Sequence, residues 1–429
     1  MKNVLVFPCG SEIGLELHRS LASSTHFRLF GASSIPDHGR FAYLRYHEIP
    51  EMADDPGFAD AFNRLLRELD IDYVLPAHDS VVVKLAEMQD AGALAAEAVV
   101  PNHDVCSICR SKQATYRLLA DVAEVPRVYG ESELGTAPFP LFAKPDVGQG
   151  SRGAVILPDA QAAREKLRRE PGSVVMEYLP GPEYTVDCFT NAAGALLFQS
   201  ARGRNRVSGG ISVSSRQAVH PSLAGMAVAI NDRLALRGAW FFQARENASG
   251  EAVLLEVAPR IAGGSGFQRA RGVNLPLLSL FDRMGVPVTV PHPGLEGLEM
   301  DRALAASYRP GVEYGTAYLD FDDTIRRRDG TLDTTAVKFL FQCRNRGVRL
   351  VLLTRHAGDI AAALAECRLT GVFDRVVCLG AGEGKAEHIA ETPAVFVDDS
   401  FSERAAVAGK PGVAVFDPSS LEALLDDRG

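Results

Sequence analysis

Short apolar runs recur at regular intervals over the first hundred residues. Val4-Leu5-Val6-Phe7 predicts a buried strand, Gly10 and Gly14 flank a turn, and a helix follows around Leu15–Leu21. Helical periodicity returns over Phe58–Leu69. Asp72–Asp79 then alternates as strand and loop, and Val81–Met88 is helical again. This strand–helix rhythm predicts a small parallel sheet. Gly10-Ser-Glu-Ile-Gly14 lacks the third glycine of a dinucleotide fingerprint.

The pattern changes between residues 105 and 290. A helix over Lys112–Ala120 precedes strand-like runs at Pro140–Pro145, Gly153–Pro158, Ser173–Leu179, Tyr184–Thr190 and Ala252–Arg260. Glycine-rich loops separate them, which predicts an α+β region with an antiparallel sheet. Pro/Gly-rich stretches at Val286–Gly297 and Pro310–Gly315 read as connections. From Ala317 the strand–helix rhythm returns, with apolar strands ending at Asp320, Thr354, Gly380, Asp398 and Phe416. Such runs mark a doubly wound sheet.

At 429 residues the chain is too long for one ordinary core, so two or three domains are expected. A net charge of −9 argues against a broad nucleic-acid surface, so no nucleic-acid partner is expected. No apolar run approaches the roughly 18 residues of a membrane span, so no membrane partner is expected either. Seven scattered cysteines suit a reducing cytoplasm, the expected location. Cys106 and Cys109 form a lone CxxC without the second pair a zinc site needs. The histidines show no metal-ligand spacing and read as structural or exposed.

Chemistry concentrates where apolar strands end. Asp320-Phe-Asp322-Asp-Thr324 puts two carboxylates at i and i+2 on a turn. One can attack a phosphoryl group while the other protonates the leaving oxygen. Their charge repels a phosphate dianion, so a divalent cation is needed, and Asp398-Asp399 supplies more hard ligands. Thr354 offers a hydroxyl at a strand end, and Lys385 can neutralise phosphoryl charge. Gly380–Ala386 is not a Walker A loop, because the glycine spacing is wrong and Ala386 has no hydroxyl. In this order the four motifs resemble the haloacid dehalogenase (HAD) superfamily over residues 315–429. The resemblance implies Asp320 as nucleophile and Asp322 as acid/base. It implies Mg²⁺ held by Asp320, Asp398 with Asp399, and the Asp322 carbonyl. The intervals Thr324–Thr354 and Thr354–Lys385 leave no room for a folded cap domain.

In the middle of the chain, Lys144 precedes Gly148-Gln-Gly150-Ser151-Arg-Gly153, and a strand follows where a Rossmann loop would lead into a helix. Such a loop can close backbone N–H groups over phosphates. Lys112 lies on the preceding helix. Glu177-Tyr178-Leu179 runs into a Gly/Pro turn ahead of Glu183, and Gln243 and Glu256 end the series in neighbouring strands. This ordered set resembles the ATP-grasp superfamily, especially its carbamoyl-phosphate-synthetase-like branch, across residues 1–305. The resemblance implies Lys112 and Lys144 on ATP phosphates, with Gly150 and Ser151 in the closing loop. Glu177, Tyr178 and Leu179 would be the adenine hinge, Glu183 would hold ribose, and Gln243 and Glu256 would hold Mg²⁺. Arg260 would line the reacting pocket with Ser265. One departure stands out: Glu256-Val-Ala258-Pro-Arg260 has alanine where the family usually shows asparagine. Arg202 and Arg204, in an arginine run read as a flexible turn, suit a carboxylate or phosphate acceptor.

The expected fold is an α/β multidomain chain. It has a pre-ATP-grasp α/β domain (1–105), an ATP-grasp α+β domain (106–311) and a capless HAD-like Rossmannoid domain (312–429). The expected function is bifunctional: an ATP- and Mg²⁺-dependent carboxylate–amine ligase joined to a phosphomonoesterase. Small-molecule carboxylate, amine and phosphomonoester substrates are the expected partners, and a homodimer is allowed for. The competing reading is an active phosphatase regulated by a ligase-inactive, nucleotide-binding ATP-grasp module.

Overall fold

The computed structural model describes residues 1–428 except 149, 151, 291–293, 296, 310, 381 and 427. The expected connections at 286–297 and 310–315 therefore lie partly outside the described residues. The chain forms two compact units, Met1–Leu304 and Ala305–Arg428, so the second starts ahead of residue 312.

Unit 1 opens with a sheet of β1 (Lys2–Phe7), β2 (Phe27–Ser33), β3 (Tyr46–Glu48), β4 (Tyr73–Pro76) and β5 (Glu97–Ala98). All pairings are parallel, in the order β3-β2-β1-β4-β5. The unbroken apolar run in β1 is explained by burial on both faces. Leu5 and Phe7 point into one cluster with Phe58, Phe62 and Val74. Val4 and Val6 point into another that also takes Phe189, Ala239, Val273 and Leu280. This second cluster joins the first hundred residues to the antiparallel region in one unit, and each such buried side chain contributes about 1.5–3 kcal/mol.

A three-stranded antiparallel sheet follows: β6 (Leu141–Pro145), β7 (Val155–Leu157) and β8 (Ser173–Glu177), in the order β7-β6-β8. The largest sheet holds β9 (Glu183–Thr190), β10 (Leu196–Ser208), β11 (Ile211–Gln217), β12 (Gly238–Glu246), β13 (Ala252–Ala258) and β14 (Glu299–Asp301). It is antiparallel, in the order β13-β12-β9-β10-β11-β14. Its two faces differ, as the period-2 alternation of Glu183-Tyr-Thr185-Val-Asp187-Cys requires. Val186, Cys188, Trp240 and Phe242 pack against the helix Leu223–Arg233. Trp240 donates its indole N–H to Thr190 Oγ1 at 2.8 Å, a core role. Glu183, Thr185 and Asp187 take the opposite face. The arginine run differs from expectation: it is strand through Ser208, and the turn falls at Gly209-Gly210.

Unit 2 is a parallel sheet of β15 (Thr316–Leu319), β16 (Arg349–Thr354), β17 (Arg375–Cys378), β18 (Ala394–Val397) and β19 (Val413–Phe416). Its order is β17-β16-β15-β18-β19. Both faces are covered: Ala317 and Leu319 enter one cluster and Tyr318 the other. After Thr324 the chain makes a short flap bridged at Asp322–Arg326 and Arg326–Leu332, then the helix Thr334–Asn345. Between Thr354 and Lys385 the elements are the helix Ile360–Glu366 and β17. No helix among the described residues is long and apolar enough to cross a membrane.

Candidate active sites

Unit 1 contains a cavity of about 610 Å³ whose floor is the polar face of the large sheet. Strand register aligns its residues in rungs. Glu256 on β13 lies opposite Gln243 on β12, Gln243 opposite Thr185 on β9, and Thr185 opposite Arg202 on β10. All four line the cavity. Residues opposite one another on adjacent strands hold their side chains about 5 Å apart, so Gln243 and Glu256 can offer two oxygens to one small hard cation. The residues present thus fit a magnesium ion at that end. Ala258, two residues on in β13, offers it nothing.

Lys112 and Lys144 line the same cavity. Lys144 Nζ donates to the Leu255 carbonyl at 3.1 Å, and Lys112 Nζ to the Asp146 carbonyl at 3.0 Å. Burial pushes Lys144 down to about 8, against the pull of Glu256 and with Lys112 adding to the shift. Burial lowers Lys112 too. Each of these buried ammonium groups donates to a carbonyl and has further N–H donors to offer an anion. Glu177, Tyr178 and Leu179 form another wall, where β8 ends. The Glu177 side chain is already engaged, accepting from the Arg127 N–H at 2.9 Å.

Glu183 and Arg204 are ion-paired at 2.6 Å, with Arg245 at 3.9 Å from the same carboxylate. Arg204 also donates to the Gly210 carbonyl at 2.9 Å. The turn carrying Gly210 reaches Gly150 of the glycine-rich loop: a Cβ on Gly210 would lie 2.4 Å from Gly150 backbone. Ser151 lies outside the described residues. A bulge after Arg204 separates it from Arg206, which pairs outside the cavity with Asp301.

Arg202 is 1% exposed. Its Nε donates to Asp187 Oδ2 at 2.9 Å, and Gln268 Nε2 donates to the same oxygen. One terminal nitrogen, NH1, is buried without a partner among the described residues. A Cβ on Gly264 would meet that nitrogen at 2.8 Å and would force the guanidinium to shift. Arg260 makes a two-point pair with Asp79, at 2.7 and 2.8 Å. Burial works to raise the Asp79 carboxyl, but the guanidinium outweighs it and the net shift is downward. Ser265 is buried but is not among the residues lining the cavity; Gly263 and Gly264 line it instead. Asp79 and Asp187 were not singled out in the sequence. Asp79 had a readable signal, being an acid after an apolar strand of a parallel sheet.

In unit 2 the ends of β15, β16 and β18 bring the acidic motifs together. Oxygens of Asp320, Asp398 and Asp399 lie within 4.8 Å of one another, a separation that fits one divalent cation. Lys385 Nζ stands 2.8 Å from Asp320 Oδ1 and 2.6 Å from Asp398 Oδ2. Burial raises Asp320 to about 6 even against that lysine, and burial raises Asp398 as well. Thr354 is fully buried and its Oγ1 accepts from the His356 N–H at 3.1 Å. Thr324 Oγ1 accepts from the Asp399 N–H at 3.1 Å, tying the two acidic loops together. His356, which its sequence context left unremarked, reaches Asp322: Nδ1 to Oδ2 is 2.8 Å. The seven cysteines are free, and Cys106 is buried with its thiol pushed up to about 12.

A profile for a family described as ATP-grasp in the biosynthetic pathway with Ter operon matches residues 169–302. Among solved structures, the chain is similar to the biotin carboxylase domain of Hydrogenobacter thermophilus 2-oxoglutarate carboxylase, solved with MgADP and bicarbonate. Identity is 12%, TM-score 0.57, with 69% of this chain and 72% of that one covered. N5-carboxyaminoimidazole synthetase from Staphylococcus aureus, complexed with ADP, matches at 12% identity and TM-score 0.57, covering 67% and 78%. An L-amino acid ligase from Bacillus licheniformis matches at 18% and 0.53, covering 65% and 73%. No curated protein matches the chain. The chain carries an ATP-grasp fold within an α/β multidomain architecture.

Proposed function

We propose that unit 1 is an ATP-dependent ligase that activates a carboxylate as an acyl phosphate for attack by an amine. The observation that carries this reading is the rung Glu256–Gln243–Thr185–Arg202, laid between two buried lysines at one end and an unpartnered guanidinium nitrogen at the other. Lys112 and Lys144 neutralise the nucleotide phosphates, Glu177–Leu179 receive the base, and Glu183 faces the ribose. Gln243 and Glu256 hold magnesium, which when bound supplies charge neutralisation at the transferring phosphoryl group. The acceptor carboxylate attacks the γ-phosphorus and ADP departs. The amine then attacks the acyl carbon and phosphate leaves. Arg260, held by Asp79, stabilises the charge that develops, and Arg202 and Arg204 orient the acceptor.

The same proposal assigns unit 2 as a capless, HAD-like phosphomonoesterase. Its support is the juxtaposition of Asp320, Asp398 and Asp399 at strand ends with Lys385, and Thr354 at the end of neighbouring β16. A bound divalent cation would be held by Asp320, Asp398, Asp399 and the Asp322 carbonyl.

The test measures ADP release from Mg·ATP over panels of carboxylic acids and amines, using Asp320→Asn protein to silence the phosphatase. Lys144→Ala and Glu256→Ala should abolish ADP release and leave hydrolysis of 4-nitrophenyl phosphate by unit 2 intact. Absence of Mg·ATP binding to the parent protein, by calorimetry with and without acceptors, would remove the ligase reading. Ala258 favours one competitor, a nucleotide-binding regulator of the phosphatase. That reading predicts nucleotide binding without ADP release, and phosphatase rates that change when ATP is added.

A further inference from the structure

We propose that His356 is the positioning residue of the unit 2 phosphatase, fixing which oxygen of Asp322 carries the proton given to the leaving group. This rests on the phosphatase reading above.

Asp322 sits on an open loop, and its side chain is about half exposed. A carboxyl so placed turns freely unless something holds it, and a general acid has to present its O–H to one point in space. His356 supplies that hold. Its backbone N–H is fixed on Thr354 Oγ1 at 3.1 Å. Its ring stands edge-on to Phe321, at 5.4 Å between centroids and 88° between planes. Phe321 is itself fully buried between Asp320 and Asp322, so the histidine packs on the anchor of the acidic loop. From there Nδ1 reaches Asp322 Oδ2 at 2.8 Å. The preceding residue ties the segment to other elements: Arg355 donates to Glu403 at 2.8 Å and to the Gly380 carbonyl at 3.1 Å. Thr354, Arg355 and His356 thus link β16 to the first acidic motif and to the loop that delivers Lys385.

An imidazole Nδ1–H that donates to Oδ2 occupies that oxygen as an acceptor. The proton of the neutral carboxylic acid then resides on Oδ1, the oxygen left for substrate. In the reaction an Asp320 oxygen attacks phosphorus and the bond from phosphorus to the leaving oxygen breaks. Its electron pair stays on that oxygen, which takes the Asp322 proton. Water then attacks the aspartyl-phosphate and returns a proton to Asp322. The Asp320–phosphorus bond breaks, releasing inorganic phosphate and the free carboxylate. His356 touches neither substrate nor nucleophile; it acts through Asp322.

Proton donation matters most when the leaving group is basic. The test compares full-length parent, His356→Ala and His356→Asn on 4-nitrophenyl, phenyl and ethyl phosphate, with circular dichroism to verify folding. His356→Ala should lower kcat on ethyl phosphate by roughly 10²-fold and on 4-nitrophenyl phosphate by less than about threefold. KM should change little. His356→Asn, whose amide can place an N–H near Nδ1, should recover most of the loss. An equal loss on all three esters would overturn the proposal, as would Asn faring no better than Ala in folded protein. Failure of the underlying reading looks different. It would appear in the parent, as no hydrolysis of any ester or as activity that survives Asp320→Asn, and the role of His356 would fall with it.

Discussion

Lys144 carries a chemical signature that a surface lysine would lack. Burial holds it down to about 8, while bound phosphates would favour its charged form. Nucleotide binding should therefore take up a proton above pH 8. The affinity for Mg·ATP should be flat below that pH and fall as pH rises through it, by up to about tenfold per unit. Arginine stays charged throughout, so Lys144→Arg should remove this limb even where it weakens binding. Calorimetry in buffers of different ionisation enthalpy measures both the affinity and the proton uptake. A parent profile that stays level from pH 7 to pH 10 would count against the depressed lysine. Residues like Lys144, Glu256 and Asp320 stand out in the sequence because each charge lies in or directly after an apolar strand. Asp79 also follows an apolar strand, but its pairing was not legible, and Asp187 and His356 gave no such signal. Their partners Arg260, Arg202 and Asp322 are remote in the chain or set by strand register, and no local pattern encodes that.

At the scale of elements, two turns meet over the cavity. Gly210, at the tip between β10 and β11, has φ of +79° and lies against Gly150 backbone. Gly209 beside it has φ of +57° and open space around it. The pair gives an internal control. Alanine at either position pays for the left-handed backbone, about 1 kcal/mol. Only at position 210 does the added carbon also collide with the glycine-rich loop. Gly210→Ala should weaken Mg·ATP by roughly tenfold more than Gly209→Ala, measured as Kd at equal folded fraction. Equal effects would show that the contact does not matter to nucleotide. The strands themselves were legible, because apolar runs of both sheets with two buried faces are hard to mistake. The arginine run was not: three arginines alternating on β10 look like a solvated turn until the neighbouring strands bury one of them completely. A bulge then sends the third out to solvent, a local irregularity that periodicity cannot foresee.

At the scale of the whole molecule, each of the two units has its own cluster of charged residues, and by the proposed reading each should answer to its own ligand. Mg·ATP at about 100 times its Kd should stabilise unit 1 by about 2.7 kcal/mol. That raises its unfolding transition by several degrees in calorimetry. Lys144→Ala should abolish the shift, and Asp320→Asn should leave it in place. A shift that survives Lys144→Ala would mean that nucleotide binds elsewhere. The rhythm changes at Ala317, and the expected boundary at residue 105 falls within one compact unit. Val4 and Val6 share a cluster with Phe189 and Leu280, a merger that only tertiary structure reveals. The rung that floors the unit 1 cavity also sets a length. From Glu256 to Arg202 it crosses three strand spacings of ~4.8 Å, about 14 Å in all. The part from Gln243 to Arg202 crosses two of these spacings, about 10 Å. An acid gripped at Arg202 and activated beside Gln243 has to be an extended molecule, and one of acetate size touches only one end. The floor of the cavity is then a gauge, and what it measures in a substrate is reach.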